Sequence, residues 1–174
     1  GRTLVTELDN LVHLSRIEDA LKLEAPARES LAKAKDPAYL TNLEIALGNL
    51  YYRLNRFSES LRHYDAASQN NPNPISLAAI QIGRASALTD LNRFEEAIQA
   101  FQSTQHHCQE HNLGFWSAIA DQGLARMYFM RGNYSMALRL MDQLRKRHFE
   151  AGDYRRVALC DLDRAEVFLQ LNIP

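Results

Sequence analysis

The chain has 174 residues, with Lys+Arg 20 against Asp+Glu 21, a formal net charge of −1 and only 7 Gly and 5 Pro. A nucleic-acid binder needs clustered cations to displace counterions, and no such excess exists, so no nucleic-acid partner is expected. Leu and Ala dominate the apolar residues, Cys108 and Cys160 form no disulfide framework, and no apolar run approaches membrane-spanning length; the expectation is an all-α, cytoplasmic chain with no membrane contact.

Taken in order, the first helix is expected over 3–14, followed by the turn Leu14-Ser15-Arg16-Ile17 and a second helix over 16–34 with a candidate break at Ala25-Pro26. Ser15 and Glu18 have capping-box spacing. Asp36-Pro37 opens a third helix over 37–54, placing a capping carboxylate before a proline whose missing N–H is not needed in a first turn. Its apolar residues Leu43, Ala46, Leu47, Leu50, Tyr51 and Leu54 follow helical spacing. The turn Leu54-Asn55-Arg56-Phe57 leads into 57–70, with Phe57, Leu61, Tyr64 and Ala67 on its apolar face.

Asn73-Pro74 starts a fifth helix over 74–91, and Leu91-Asn92-Arg93-Phe94 repeats the earlier turn before 93–111, where Asn92 and Glu95 again have capping-box spacing. A seventh helix over 115–131 ends at Met130-Arg131-Gly132-Asn133-Tyr134, and an eighth covers 133–150. Gly152 and Asp153 end it and begin the last, 154–171, which runs into Leu171-Asn172-Ile173-Pro174. The turn residues Ser15, Asn55, Asn92, Gly132 and Asn172 are spaced by 40, 37, 40 and 40 residues. Near-constant spacing is the signature of stacked helix pairs, each of which buries its apolar face against its neighbours. Small residues let the pairs approach closely: Gly48, Ala85 and Ala125 in the first helices, Ala97 and Ala137 in the second.

These residues resemble the tetratricopeptide repeat family. Leu47-Gly48, Tyr51, Phe57, Tyr64, Ala67 and Pro72 carry one copy; Ala85, Phe94, Ala97 and Phe101 a second; Leu124, Ala125, Tyr128, Gly132, Tyr134 and Ala137 a third. Ser60 departs from the usual small residue of the first copy, and the spacing exceeds the family's usual 34 residues or so. The resemblance implies a right-handed α-α superhelix, a solenoid of helix hairpins. It implies one domain over 1–174, with repeats at about 3–36, 37–72, 74–113 and 115–152 and a partial repeat at 154–174. It further implies a scaffold module that binds a protein or peptide in a concave groove lined by the first helices. Carried onto this chain, the groove residues are Asn42, Ile45, Asn49, Tyr52, Arg53, Ser86, Thr89, Asp90, Gln122, Arg126, Phe129 and Met130. The repeats that grip acidic chaperone tails use Lys, Asn and Arg at positions occupied here by Ile45, Asn49, Gly83, Ile119 and Gly123, and only Asn49 fits.

The segment Leu159 to Asn172 is similar to segments of bacterial repeat arrays that precede caspase-like peptidase domains. That likeness implies a fragment of a larger protein, and an alternative role as a peptide-sensing regulatory arm for an attached peptidase or transcription-factor domain. The last helix would lack its partner, so Ala165, Phe168 and Leu169 would be open to self-association.

Catalytic motifs are absent: no Gly-x-Ser-x-Gly, no His-Glu-x-x-His and no phosphate-cradling glycine loop occur, so no enzyme and no cofactor are expected. His63 neighbours Asp65, but residues so close along a helix face different directions. His107, Cys108 and His111 could offer ligands to zinc, which favours four. Cys108 instead continues the apolar row of Phe94, Ala97 and Phe101, which favours a buried thiol and no metal. The run Arg145-Lys146-Arg147-His148 suits a helix C-terminus better than a phosphate.

Overall fold

The computed structural model describes residues 2–34 and 36–171, with side chains from Leu4 to Ser30 and from Asp36 to Leu171. Among the described residues there are nine α-helices and no strand. They are α1 (Arg2–His13), α2 (Ile17–Ala34), α3 (Pro37–Arg53), α4 (Phe57–Ser68), α5 (Pro74–Asp90), α6 (Phe94–Glu110), α7 (Gly114–Met130), α8 (Tyr134–Glu150) and α9 (Tyr154–Gln170). Every helix end lies within two residues of its expected limit. None is long and apolar enough to cross a membrane. The break expected at Ala25-Pro26 does not occur: Pro26 sits inside a continuous α2. Ala20 and Ala27, both fully buried, hold the two sides of the proline against one core, so packing offsets the lost backbone hydrogen bond.

The turns are physically alike. Ser15, Asn55 and Asn92 have φ of 58°, 57° and 59°, and Gly132 has 79°. Each follows a helix end in the left-handed conformation that Gly and Asn tolerate best. The amide two residues past the helix cap then donates back into the last turn, as Arg56 N to Tyr51 O at 2.9 Å, Arg93 N to Leu88 O at 2.9 Å and Asn133 N to Tyr128 O at 2.8 Å. Asn112 and Gly152 repeat this geometry between successive pairs, with Leu113 N donating to Cys108 O and Asp153 N to His148 O. The fifth expected marker, Asn172, lies outside the described residues. The capping-box reading of Ser15 and Asn92 is corrected: both occupy the left-handed position that closes the preceding helix, not the extended position of an N-cap. Asp36 and Asn73 do cap, accepting from Ala38 N at 3.0 Å and Ser76 N at 2.9 Å.

The helices form two compact units, one ending at Arg93 and the other starting at Phe94. In the first, α3 packs against α1, α2, α4 and α5. Val5, Leu8, Val12, Ala20, Ala27, Leu43, Leu47 and Leu50 form its largest core, each buried Leu contributing about 1.5–3 kcal/mol. In the second, α6 packs on α7, α7 on α8 and α8 on α9, around Ala125, Ala137, Met141 and Val167.

Two repeating contacts set the register of these stacks. The first is an aromatic ring laid on a glycine. Tyr64 of α4 lies between Gly48 and Gly83, and a Cβ on Gly48 would come 2.7 Å from the ring. Phe101 of α6 meets Gly123 of α7 in the same way, with a hypothetical Cβ 2.5 Å from the ring. Gly83 and Gly123 are thus close approaches to a ring; the expected Ala85 and Ala125 are also buried. The second is polar. The eighth residue of α3, α7 and α9 is Glu44, Asp121 or Asp161, and each bonds a side chain 16 residues earlier: Arg28 at 3.2 Å, Gln105, and Arg145 at 2.7 Å. Gln81 holds this place in α5, and its Oε1 is buried with no hydrogen-bond partner among the described residues.

Candidate functional site

The expected groove residues fall on the first helices, and each unit is best considered alone. In the first unit, Asn42 and Arg53 are exposed, while Ile45, Asn49, Tyr52, Ser86 and Asp90 are half-buried. Tyr52 donates its hydroxyl to Asp90 Oδ2 at 2.5 Å, tying α3 to α5, and its ring meets Phe57 edge-on at 5.4 Å between centroids. Asn49 accepts from the Tyr64 hydroxyl at 2.6 Å, so one of its acceptor positions already serves the fold. Ile45 packs on the buried cluster of Tyr64, Ala67 and Ile80. Thr89 is a correction. It is 1% exposed and donates to Ala85 O at 2.8 Å, because its place in α5 faces the core next to Leu88. A ligand cannot reach it.

In the second unit, Gln122 and Arg126 are exposed on α7, and Met130 is 40% exposed at its end. Phe129 is half-buried against the Ala125, Ala137, Met141 and Val167 cluster. The adjacent α9 presents Leu162 and Leu169, 66% and 76% exposed, with Asp163 between them in sequence. Burial, then the nearby Glu166, push the Asp163 carboxyl above its ordinary range, against a hydrogen bond from Gln122. This face thus combines amide, guanidinium and carboxylate groups with apolar anchors, the mixture that binds an extended or helical peptide. Ala165 and Leu169 of α9 are exposed, while Phe168 is half-buried under Arg164.

A third feature was not anticipated from sequence. Glu44 of α3 is buried between His63 Nδ1 at 2.6 Å and Arg28 Nη1 at 3.2 Å. Burial alone would raise its carboxyl, but the hydrogen bond with His63 and the charges of His63 and Arg28 together hold it below the usual glutamate range. Tyr51 stacks on His63 at 4.9 Å and donates to Glu24 at 3.0 Å. Arg28, Glu44, Tyr51 and His63, together with Arg56, Glu59 and Arg62, line a hollow of about 450 Å³ on the side of α3 that faces α2 and α4. His63 therefore pairs across helices with Glu44, while Asp65 pairs with Arg84 of α5 at 2.6 Å. The readable signal was a glutamate set among Leu43, Ala46 and Leu47, where an apolar residue would ordinarily stand.

Around the histidine run, Cys108 is 1% exposed and burial raises its thiol above the ordinary value, so it faces the core. His107, Glu110 and His111 lie together at the helix end, with ligand atoms within 4.8 Å of one another.

No protein-family model matches the chain, and no curated protein matches it. Among solved structures, the crystal structure of BtubC (BKLC) from P. vanneervenii is similar at a TM-score of 0.65 and 18% identity, over 97% of this chain and 80% of that one. At that identity the likeness concerns the fold alone. Together with the nine helices among the described residues, which pack in sequence within each unit, it makes this an all-α, helical-repeat fold.

Proposed function

We propose that the chain is a tetratricopeptide-type module that binds a polypeptide along the exposed faces of its first helices. The observation that carries this reading is the character of the α7 and α9 faces. Gln122, Arg126 and Met130 stand exposed on one, and Leu162 and Leu169 on the other. Surface leucines exposed by two-thirds or more lose apolar contact with water on binding a partner, and each fully buried one is worth about 1.5–3 kcal/mol. Arg126 and Gln122 supply orientation through hydrogen bonds to a peptide backbone or carboxylate. In the first unit, Asn42, Arg53 and the Tyr52–Asp90 pair offer a more polar face of the same kind. The tetratricopeptide assignment rests on the turn and glycine pattern, including Leu47-Gly48, Tyr64, Phe101 and Gly132.

The test is selection of phage-displayed peptides on the whole chain, repeated with Arg126→Ala and Tyr52→Ala. The reading expects one or both variants to lose the selected peptides while keeping their helical circular dichroism. Equal recovery by wild type and both variants would overturn the placement of the site.

A further inference from the structure

The end of α6 carries a cluster that the peptide-binding reading does not use. His107 and His111 are four residues apart, so they share one helix face, and their ring centroids lie 4.5 Å apart. Glu110 adds a carboxylate to the same face, and one ligand atom from each of the three falls within 4.8 Å of the others. His107 is half-buried; Glu110 and His111 are exposed, so an ion reaches them directly from solvent.

The electrostatics of this place favour a cation. A helix C-terminus carries partial negative charge, which stabilises cations and disfavours carboxylates. Glu110, the last residue of α6, therefore stands where its own charge is unwelcome. His106 approaches it at 3.4 Å from the preceding turn, which relieves that charge only when the imidazole is protonated. A divalent ion would relieve it outright, while neutral imidazoles supply the nitrogen ligands that zinc prefers. Cys108 is excluded from the set because it is buried in the core.

We infer that His107, Glu110 and His111 form a three-ligand site for a zinc-class divalent cation, with the remaining position left to water or to a ligand from a binding partner. The site pins the last turn of α6 where it meets the left-handed Asn112 and the start of α7. It is independent of the peptide-binding face and stands or falls separately.

The experiment is calorimetric titration of the whole chain with zinc chloride, backed by the visible and near-ultraviolet spectrum of the cobalt(II) form. The expected result is saturation at one ion per chain, with affinity reduced about tenfold or more in His107→Ala, His111→Ala and Glu110→Gln, as removal of a direct ligand requires. His106→Ala should bind as the wild type does, and far-ultraviolet circular dichroism should show all four variants equally helical. Absence of saturable uptake would overturn the inference. So would retention of full affinity in Glu110→Gln or in the double variant lacking both His107 and His111, or a cobalt–thiolate charge-transfer band implicating a cysteine.

Discussion

The ring of Tyr64 occupies the space that a side chain on Gly83 would need: a Cβ built on Gly83 would overlap the ring carbons. Because Tyr64 is 2% exposed and also bonded to Asn49, the ring has no room to retreat. Gly83→Ala should therefore force the α4–α5 crossing apart, lowering stability by about 1–3 kcal/mol as other overpacked cores do. Gly123→Ala should act likewise through Phe101, and Ala97→Leu and Ala137→Leu through their fully buried sites. Urea unfolding followed by circular dichroism checks all four. Unchanged midpoints throughout would mean that the helices do not stack as closely as described.

Glu44 makes stability depend on acid. Its folded-state carboxyl titrates below the ordinary glutamate value, so between the two values the unfolded chain binds more protons than the folded one. The contribution is fully present above the ordinary glutamate pKa and is lost as pH falls through the lowered one. Glu44→Gln should flatten this part of the stability–pH curve and cost about 1–3 kcal/mol at neutral pH, where His63 and Arg28 lose an ionised partner. Denaturant midpoints of both proteins measured stepwise from pH 7 to pH 3 test it; parallel curves would contradict the assignment.

Helix positions were legible because turn chemistry and apolar spacing agree along the chain. Asn55, Asn92 and Gly132 are residues that accept positive φ, and each stands at the end of a run spaced for a helix. Asn112 serves the same purpose but lacks the Leu-Asn-Arg-Phe context, so the sequence pattern passed over it. Pro26 signals a break that tertiary packing overrides. The site was less legible. One residue of rotation along a helix separates exposed Arg53 from half-buried Tyr52, and buried Thr89 from half-buried Asp90. Polarity does not report that rotation, since Thr89 satisfies its hydroxyl within its own helix. The Arg28–Glu44–His63 network joins three helices; Glu44 stands out among apolar neighbours, but pairings at such separations leave no local mark that identifies its partners.

The peptide-binding reading is tested most directly by mapping where a selected peptide touches the chain. A photoreactive derivative of such a peptide, crosslinked to the whole protein and located by mass spectrometry, should mark residues of α3, α5, α7 or α9, among them Arg53, Arg126 or Met130. Adducts confined to α4, α6 or α8, for example around Arg62, would contradict it.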